Sequence, residues 1–341
     1  MRQEVIWLNR ERNVTLTAYI QEAGGEFQFP LRPAMLVLPG GAYAMCSDRE
    51  ADPVAMAYLK AGYQAFVLRY STGEHKSWPN PLNDYEDAMT LIRENAELWH
   101  IDVNRICAVG FSAGGHLCAC GATIAKNKPA AAILVYPAIL KDICDICQPG
   151  MPYPYEHVTE ETSPCFLVAA RDDRTVDIRN SLMMQLALTE KGIPFESHIY
   201  SYGGHGFSTA EEWVLTNRAS ERVPHWVADS VGWLKETLGT LTAKGFSEPE
   251  IAVCVNGDSD PFLSVACTLN HIRKQPENVQ ALMKPLYDGM QAVATARGFS
   301  MEGLIAAAGS YSVRELMEMV LVNADTISAI DRSLQEIENL R

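Results

Sequence analysis

No stretch of this 341-residue chain approaches the ~18 to 20 consecutive uncharged apolar residues that a membrane-spanning helix needs, so no helical membrane span is expected. Positive charge is also scarce. The chain has 28 Lys and Arg against 42 Asp and Glu, a formal net charge of -14. That balance sets it against nucleic acid and anionic membrane surfaces and tilts it, weakly, towards a neutral or cationic small molecule. The opening Met1–Leu8 has neither the apolar core nor the small-residue cleavage site of an export signal. A cytoplasmic setting is therefore expected, with the nine cysteines as reduced thiols and not a disulfide framework. Cys144 and Cys147 have the gap of a redox or metal pair, but no second pair or histidine cluster accompanies them. They read as lining thiols, and no metal site is expected.

What is present is an alternation of apolar runs and helical patterns. Val5–Leu8 and Val14–Ile20 alternate like a pair of antiparallel strands around a polar turn. A continuous apolar run at Ala34–Leu38 reads as a buried strand, as does Gln64–Leu68, and Ile106–Gly110, Ala131–Tyr136, Cys165–Ala170 and Phe195–Tyr200 read as further strands. Between and after them, Asp52–Ala61, Asn83–Asn95, Ser112–Ala125, Arg179–Lys191 and Val223–Leu238 read as helices. This predicts an α/β fold, a mostly parallel twisted sheet covered on both faces, with its ligand site beyond the carboxyl ends of the strands. After Gly245 strand signals fade and helical ones dominate. Ser247–Glu250 and Ser312–Glu315 have capping-box spacing. Lys244-Gly245-Phe246-Ser247 and Arg297-Gly298-Phe299-Ser300 resemble one another at expected helix starts, a hint of a helical repeat. Asp325–Leu340 carries Ile327, Ile330, Leu334 and Ile337 on one stripe. The expected organisation is a catalytic domain over 1–243 and a helical domain over 244–341, the latter packed on the first or on a second subunit.

Chemistry concentrates at Gly110-Phe111-Ser112-Ala113-Gly114-Gly115-His116, between an expected strand and an expected helix. Gly-x-Ser-x-Gly in that setting is a nucleophile elbow, a turn tight enough that the flanking positions tolerate almost no side chain. A serine hydroxyl needs a general base, and the base an orienting carboxylate. In the run from Arg171 to Asp177 three aspartates compete. Asp173 stands three residues before Val176, the usual placement of the acid when the valine re-enters the core. Asp177 suits an N-cap and Asp172 a loop charge, paired with Arg171 or Arg174. The base is read as His205, whose flanking glycines let its loop bend towards the serine. His116 is the rival, but one turn into the elbow helix it points away from the serine. Oxyanion donors are expected from the N–H groups of Ala113, Gly41 and Ala42, the last two in the loop after Ala34–Leu38. Gly40 and Tyr43 of that loop are candidate substrate contacts, with packing an equal reading for the Tyr43 ring.

Leu38–Tyr43, Ser47-Asp48-Arg49-Glu50, Gly62–Tyr70, Pro81–Asp84, Ile101–Ile106 and the elbow, in that order, give a pattern that resembles the α/β-hydrolase family, specifically the acetyl-xylan-esterase-like carboxylesterases related to the hormone-sensitive-lipase group. The resemblance covers Val5 to about Leu238 and implies the α/β-hydrolase fold and deacylation of small, often acetylated substrates without a cofactor. The chain departs from it in having Ala42 where a third glycine is commoner. The proline- and tyrosine-rich connection over about 137–164 holds the lid position of that fold, where Trp78 and Tyr153 either pack the lid or face a sugar ring. Three hypotheses follow: a serine esterase on small acyl esters such as acetylated sugars, a peptidase or amidase on the same scaffold, or a scaffold acting through its helical C-terminal part. That part is also where a homo-oligomer would form.

Overall fold

The alternating pattern folds as one eight-stranded sheet in the computed structural model, which describes residues 1–249 and 257–339. The strands are β1 (Arg2–Asn9), β2 (Val14–Ile20), β3 (Arg32–Leu38), β4 (Gln64–Arg69), β5 (Ile101–Phe111), β6 (Ala132–Val135), β7 (Cys165–Ala170) and β8 (Phe195–Tyr200). Their spatial order is β1-β2-β4-β3-β5-β6-β7-β8. β2 pairs antiparallel with β1 and β4, and every later pairing is parallel. Parallel strands need crossovers, and helices supply them: α1 (Asp52–Lys60), α2 (Asn80–Glu94), α3 (Ala113–Thr123), α4 (Lys141–Cys147) and α5 (Arg179–Glu190), with α6 (His225–Leu238) following the last strand.

The period of two along each strand divides the core. Leu36, Phe66, Ala108, Leu134 and Leu167 face α2, α3 and α5, where Met89, Ile92, Leu117 and Leu188 meet them. Val37, Val67, Val109, Val135 and Phe166 face α1 and α6, against Val54, Tyr58, Trp226 and Trp233. Each Val, Leu, Ile, Met or Phe side chain among them, fully buried, contributes about 1.5–3 kcal/mol. The strands carry apolar residues on both faces because both faces are covered.

Two local expectations need correction. β5 begins at Ile101, not Ile106, because Asp102, Asn104 and Arg105 extend the strand beyond the covered part of the sheet and hide it from an apolar reading. Gly245 and Phe246 do not start a helix. They form β10 (Gly245–Phe246), paired antiparallel with β9 (Leu241–Thr242). Gly298 is instead the left-handed end of a helix (φ 70°) and Ser300 the cap of the next one, so the two phrases are not a repeat.

The chain divides into two compact units, Met1–Val253 and Cys254–Arg341. The division falls after the hairpin because the hairpin belongs with the sheet: the Arg105 guanidinium lies 4.0 Å over the Phe246 ring and its Nε donates to Leu238 O at 2.8 Å. The second unit contains α7 (Leu269–Ile272), α8 (Glu277–Leu282), α9 (Lys284–Arg297), α10 (Met301–Ala308), α11 (Val313–Met319) and α12 (Ala324–Leu334). They enclose a core of their own that includes Leu269, Leu286, Met290, Met317, Ile327 and Leu334. The box at Ser312 is complete, both partners bonded. For the other box, Ser247 Oγ accepts from Thr240 N–H at 2.9 Å, while Glu250 lies outside the described residues, as does Leu340 at the end of the expected last helix.

Candidate active site

β5 delivers Ser112 to the carboxyl edge of the sheet in a backbone conformation that L-residues avoid, φ 51° and ψ -114°. The glycines explain how the turn is possible. A Cβ on Gly110 would run into the Gly114 carbonyl and Cys118, and one on Gly114 into the carbonyls of Leu38 and Pro39. The turn is pinned by Ser112 N–H donating to Val135 O at 3.0 Å and Ser112 O accepting from Ala138 N–H at 3.1 Å.

Three residues far apart in sequence meet here. Ser112 Oγ lies 2.9 Å from His205 Nε2, and His205 Nδ1 lies 2.7 Å from Asp173 Oδ2. A carboxylate only accepts, so Nδ1 carries the proton and Nε2 accepts from the serine hydroxyl. The Asp173 side chain is 1% exposed, and its second oxygen accepts from the N–H groups of Thr175 (2.8 Å) and Val176 (2.9 Å). His205 sits between Gly204 (φ 60°) and Gly206 (φ 75°), which bend its loop. The competing aspartates have other partners. Asp177 accepts from Arg179 N–H at the start of α5 (2.9 Å). Asp172 is more than a loop charge, for it accepts from the N–H groups of Gly203 (2.9 Å) and Gly204 (3.0 Å) and so anchors the histidine loop. Those bonds, Gly204 first, hold its carboxyl below the usual range.

The loop after β3 turns through positive φ at Gly41 (134°), Ala42 (53°) and Tyr43 (56°). Such a run is strained for the two non-glycine residues, a kind of strain that clusters at functional sites. It passes directly over the elbow: a Cβ on Gly40 would lie 3.0 Å from Ser112 Cβ. Gly40 N–H donates to Glu50 Oε2 at 2.8 Å, so it serves the loop's own shape. The N–H groups expected to act as donors are those of Gly41 and Ala42 here and of Ala113, in the first turn of α3, where the helix dipole is positive. Of the two readings of the Tyr43 ring, packing is the one the structure supports: the residue is fully buried, its ring lies 5.5 Å from that of Tyr70 and its hydroxyl donates to His116 Nδ1 at 2.8 Å. The loop reverses again at Tyr43, which turns the ring into the core.

His116 is thus a structural link and not a second base. Its Nε2 lies 2.8 Å from Pro152 O in the 137–164 connection. A carbonyl cannot donate, so Nε2 bears the proton and Nδ1 accepts from Tyr43. The Trp78 ring packs edge-on against the imidazole at 5.8 Å, and within the 137–164 connection Tyr153 Oη donates to Asp145 at 3.1 Å. Burial pushes the His116 imidazole from 6.5 down to about 4. Between those values the unfolded chain binds a proton that the folded chain refuses, so stability rises with pH and is lost as pH falls through the window. At about 1.4 kcal/mol per unit the full loss is roughly 3 kcal/mol. Urea unfolding at pH 7 and pH 4.5 is expected to show this loss in the wild type and a shallower dependence in His116→Gln. Equal pH slopes would rule it out.

Sequence reasoning missed a second layer. Glu50, buried, accepts from Gly40 N–H and from Tyr136 Oη (2.7 Å). Tyr136 Oη in turn accepts from Ser208 N–H at 3.0 Å, and the Tyr136 ring lies 4.8 Å from the His205 ring. Burial, then the Glu50 charge, holds the Tyr136 phenol protonated. Arg49 Nη1 donates to Gly206 O and Val214 O, both at 2.9 Å. In the sequence Arg49 and Glu50 stand in Ser47-Asp48-Arg49-Glu50, a segment that only the family resemblance singles out.

Known proteins resemble this chain in sequence and in fold. The BD-FAE family model matches residues 26–145, and the prolyl oligopeptidase family model matches residues 151–240. Among curated proteins, the chain is 34% identical to endo-1,4-beta-xylanase B of Butyrivibrio fibrisolvens over 211 residues, 53% of this chain and 33% of that one. It is 28% identical to an acetylxylan esterase of Xylanibacter ruminicola over 220 residues, 58% of this chain and 46% of that one. The chain thus spans between a third and a half of the length of these relatives. Among solved structures, an alpha/beta hydrolase enzyme from a Medee basin deep-sea metagenome library is 38% identical with a TM-score of 0.65, covering 70% of this chain and 98% of that one. An acetyl ester-xyloside bifunctional hydrolase from Caldicellulosiruptor lactoaceticus is 27% identical with a TM-score of 0.60, covering 69% and 95%.

Proposed function

The chain belongs to the α/β-hydrolase family, and from that premise we propose that it is a serine carboxylesterase for small acyl esters, chiefly acetyl esters of sugars. The observation that carries the reading is the unbroken relay from Ser112 Oγ through His205 to Asp173, at 2.9 and 2.7 Å. His205 Nε2 takes the hydroxyl proton as Ser112 Oγ attacks the ester carbonyl, and Asp173 stabilises the imidazolium. The oxygen that becomes negative is received by the N–H groups of Gly41, Ala42 and Ala113. Collapse breaks the C–O bond, the imidazolium protonates the departing alcohol, and water repeats the sequence on the acyl-serine to release the acid. Every proton moved belongs to the substrate, to water or to these side chains.

The sugar part of the reading is supported by the relatives, two of them named for xylan chemistry and one as an acetyl ester-xyloside bifunctional hydrolase. The prolyl oligopeptidase match favours amide cleavage as the second reading. Both are tested with p-nitrophenyl acetate, acetylated xylo-oligosaccharide and aminoacyl p-nitroanilides, together with mass mapping of the residue labelled by a fluorophosphonate. Turnover of the acetyl esters with label on Ser112 is expected; faster anilide cleavage would favour the peptidase, and no turnover of either would end both readings.

A further inference from the structure

Glu50 is a buried carboxylate outside the catalytic relay, and its contacts reach the loops on either side of it. One oxygen accepts from Gly40 N–H, the residue just before the expected oxyanion donors Gly41 and Ala42. The other accepts from Tyr136 Oη, whose ring backs the His205 imidazole and whose oxygen receives Ser208 N–H from the histidine loop. The neighbouring Arg49 adds a second tie to that loop, since its carbonyl accepts from Ser208 Oγ at 2.5 Å and its guanidinium donates to Gly206 O. The same three segments are held in unfavourable backbone, with positive φ at Ala42 (53°), Tyr136 (38°) and Ser208 (52°). Strained loops of this kind persist only where the surroundings over-determine them.

We propose that Glu50 is a positioning residue that sets the oxyanion loop and the histidine loop in register with each other, so that the donors and the base address one tetrahedral carbon. This rests on the esterase reading above. The side-chain type follows from the proton count. Tyr136 Oη accepts from Ser208 and must spend its own proton on Glu50, while Gly40 also offers a proton. Only an acceptor-only group takes both. A glutamine accepts one and presents its NH2 to the other, where it meets either the Gly40 N–H or a phenol whose proton is then left without a partner. An aspartate is one methylene short of spanning the two.

The test uses the full chain, with kcat expressed per active site titrated by a fluorophosphonate. In Glu50→Gln, kcat on p-nitrophenyl acetate is expected to fall about 30- to 100-fold with KM within about twofold, the pattern of a displaced transition-state donor. Affinity for a trifluoromethyl ketone, whose adduct carries an oxyanion, is expected to fall by the same factor as kcat/KM. Tyr136→Phe keeps the ring but loses the bridge; it is expected to fall about 10-fold, and the double variant to be no worse than Glu50→Gln. A Glu50→Gln protein with unchanged kcat and ketone affinity beside an inactive Ser112→Ala would overturn the assignment and leave the esterase reading standing. Should Glu50→Gln not fold, a Tyr136→Phe enzyme with wild-type kcat would overturn it equally. A wild type without hydrolytic activity would remove both.

Discussion

Replacing Ser112 with alanine is expected to lower kcat on p-nitrophenyl acetate by about 10⁵- to 10⁶-fold while leaving the fold intact. The size of the effect follows from what the hydroxyl does in the proposed mechanism: it supplies the only protein atom that bonds to the acyl carbon, while the oxyanion donors and binding alone sustain a small residual rate. The fold should survive because the side chain does little else. Ser112 makes no side-chain cap to α3, and its Oγ bonds to His205 alone among the described residues, whereas the turn is held by its backbone N–H and C=O. Alanine accepts the same positive φ at little added cost, so the urea midpoint should stay close to that of the wild type. A Ser112→Ala protein that still turns over within tenfold of the wild type would place the nucleophile elsewhere and remove the mechanism.

The parts of this site that were legible in sequence are those in which local geometry dictates residue type. The elbow could be read because a side chain at Gly110 or Gly114 collides with neighbouring carbonyls, so the glycines are demanded by the turn itself. Asp173 could be separated from Asp172 and Asp177 because Val176 marks where the loop re-enters the core, and the N–H of that valine does bond to the carboxylate. The complete box at Ser312 is local in the same sense. What could not be read depends on segments meeting across the sheet edge. Glu50, Tyr136 and Ser208 are widely separated in the chain, and none sits in a spacing that predicts the others. Packing and substrate contact stay equal readings for the Tyr43 ring in the sequence, because its direction depends on three successive positive φ values in the loop. The first residues of β5 were lost for the opposite reason: polar side chains at an uncovered strand end look like a loop.

Asp173→Asn is expected to lower kcat about 10⁴-fold with little change in KM, and the reason lies in the hydrogen bonds on the far side of the carboxylate. Asp173 Oδ1 is held by two N–H donors, from Thr175 and Val176. In asparagine the carbonyl oxygen must take that place, because an NH2 there would face donors. The amide nitrogen is then forced towards His205 Nδ1, where the carboxylate oxygen had been. A donor at that position selects the imidazole tautomer with the proton on Nε2, the nitrogen that has to accept from Ser112. The base is therefore blocked in a site whose shape is unchanged, which is why KM should hold. Asp172→Asn is the matched control. Both of its bonds, from Gly203 and Gly204, go to one oxygen, and an amide oxygen replaces it without presenting a donor to either. That variant should stay within about tenfold of wild-type kcat. If the two substitutions cost the same, or if Asp172→Asn cost more, the acid of the relay would have been assigned to the wrong aspartate.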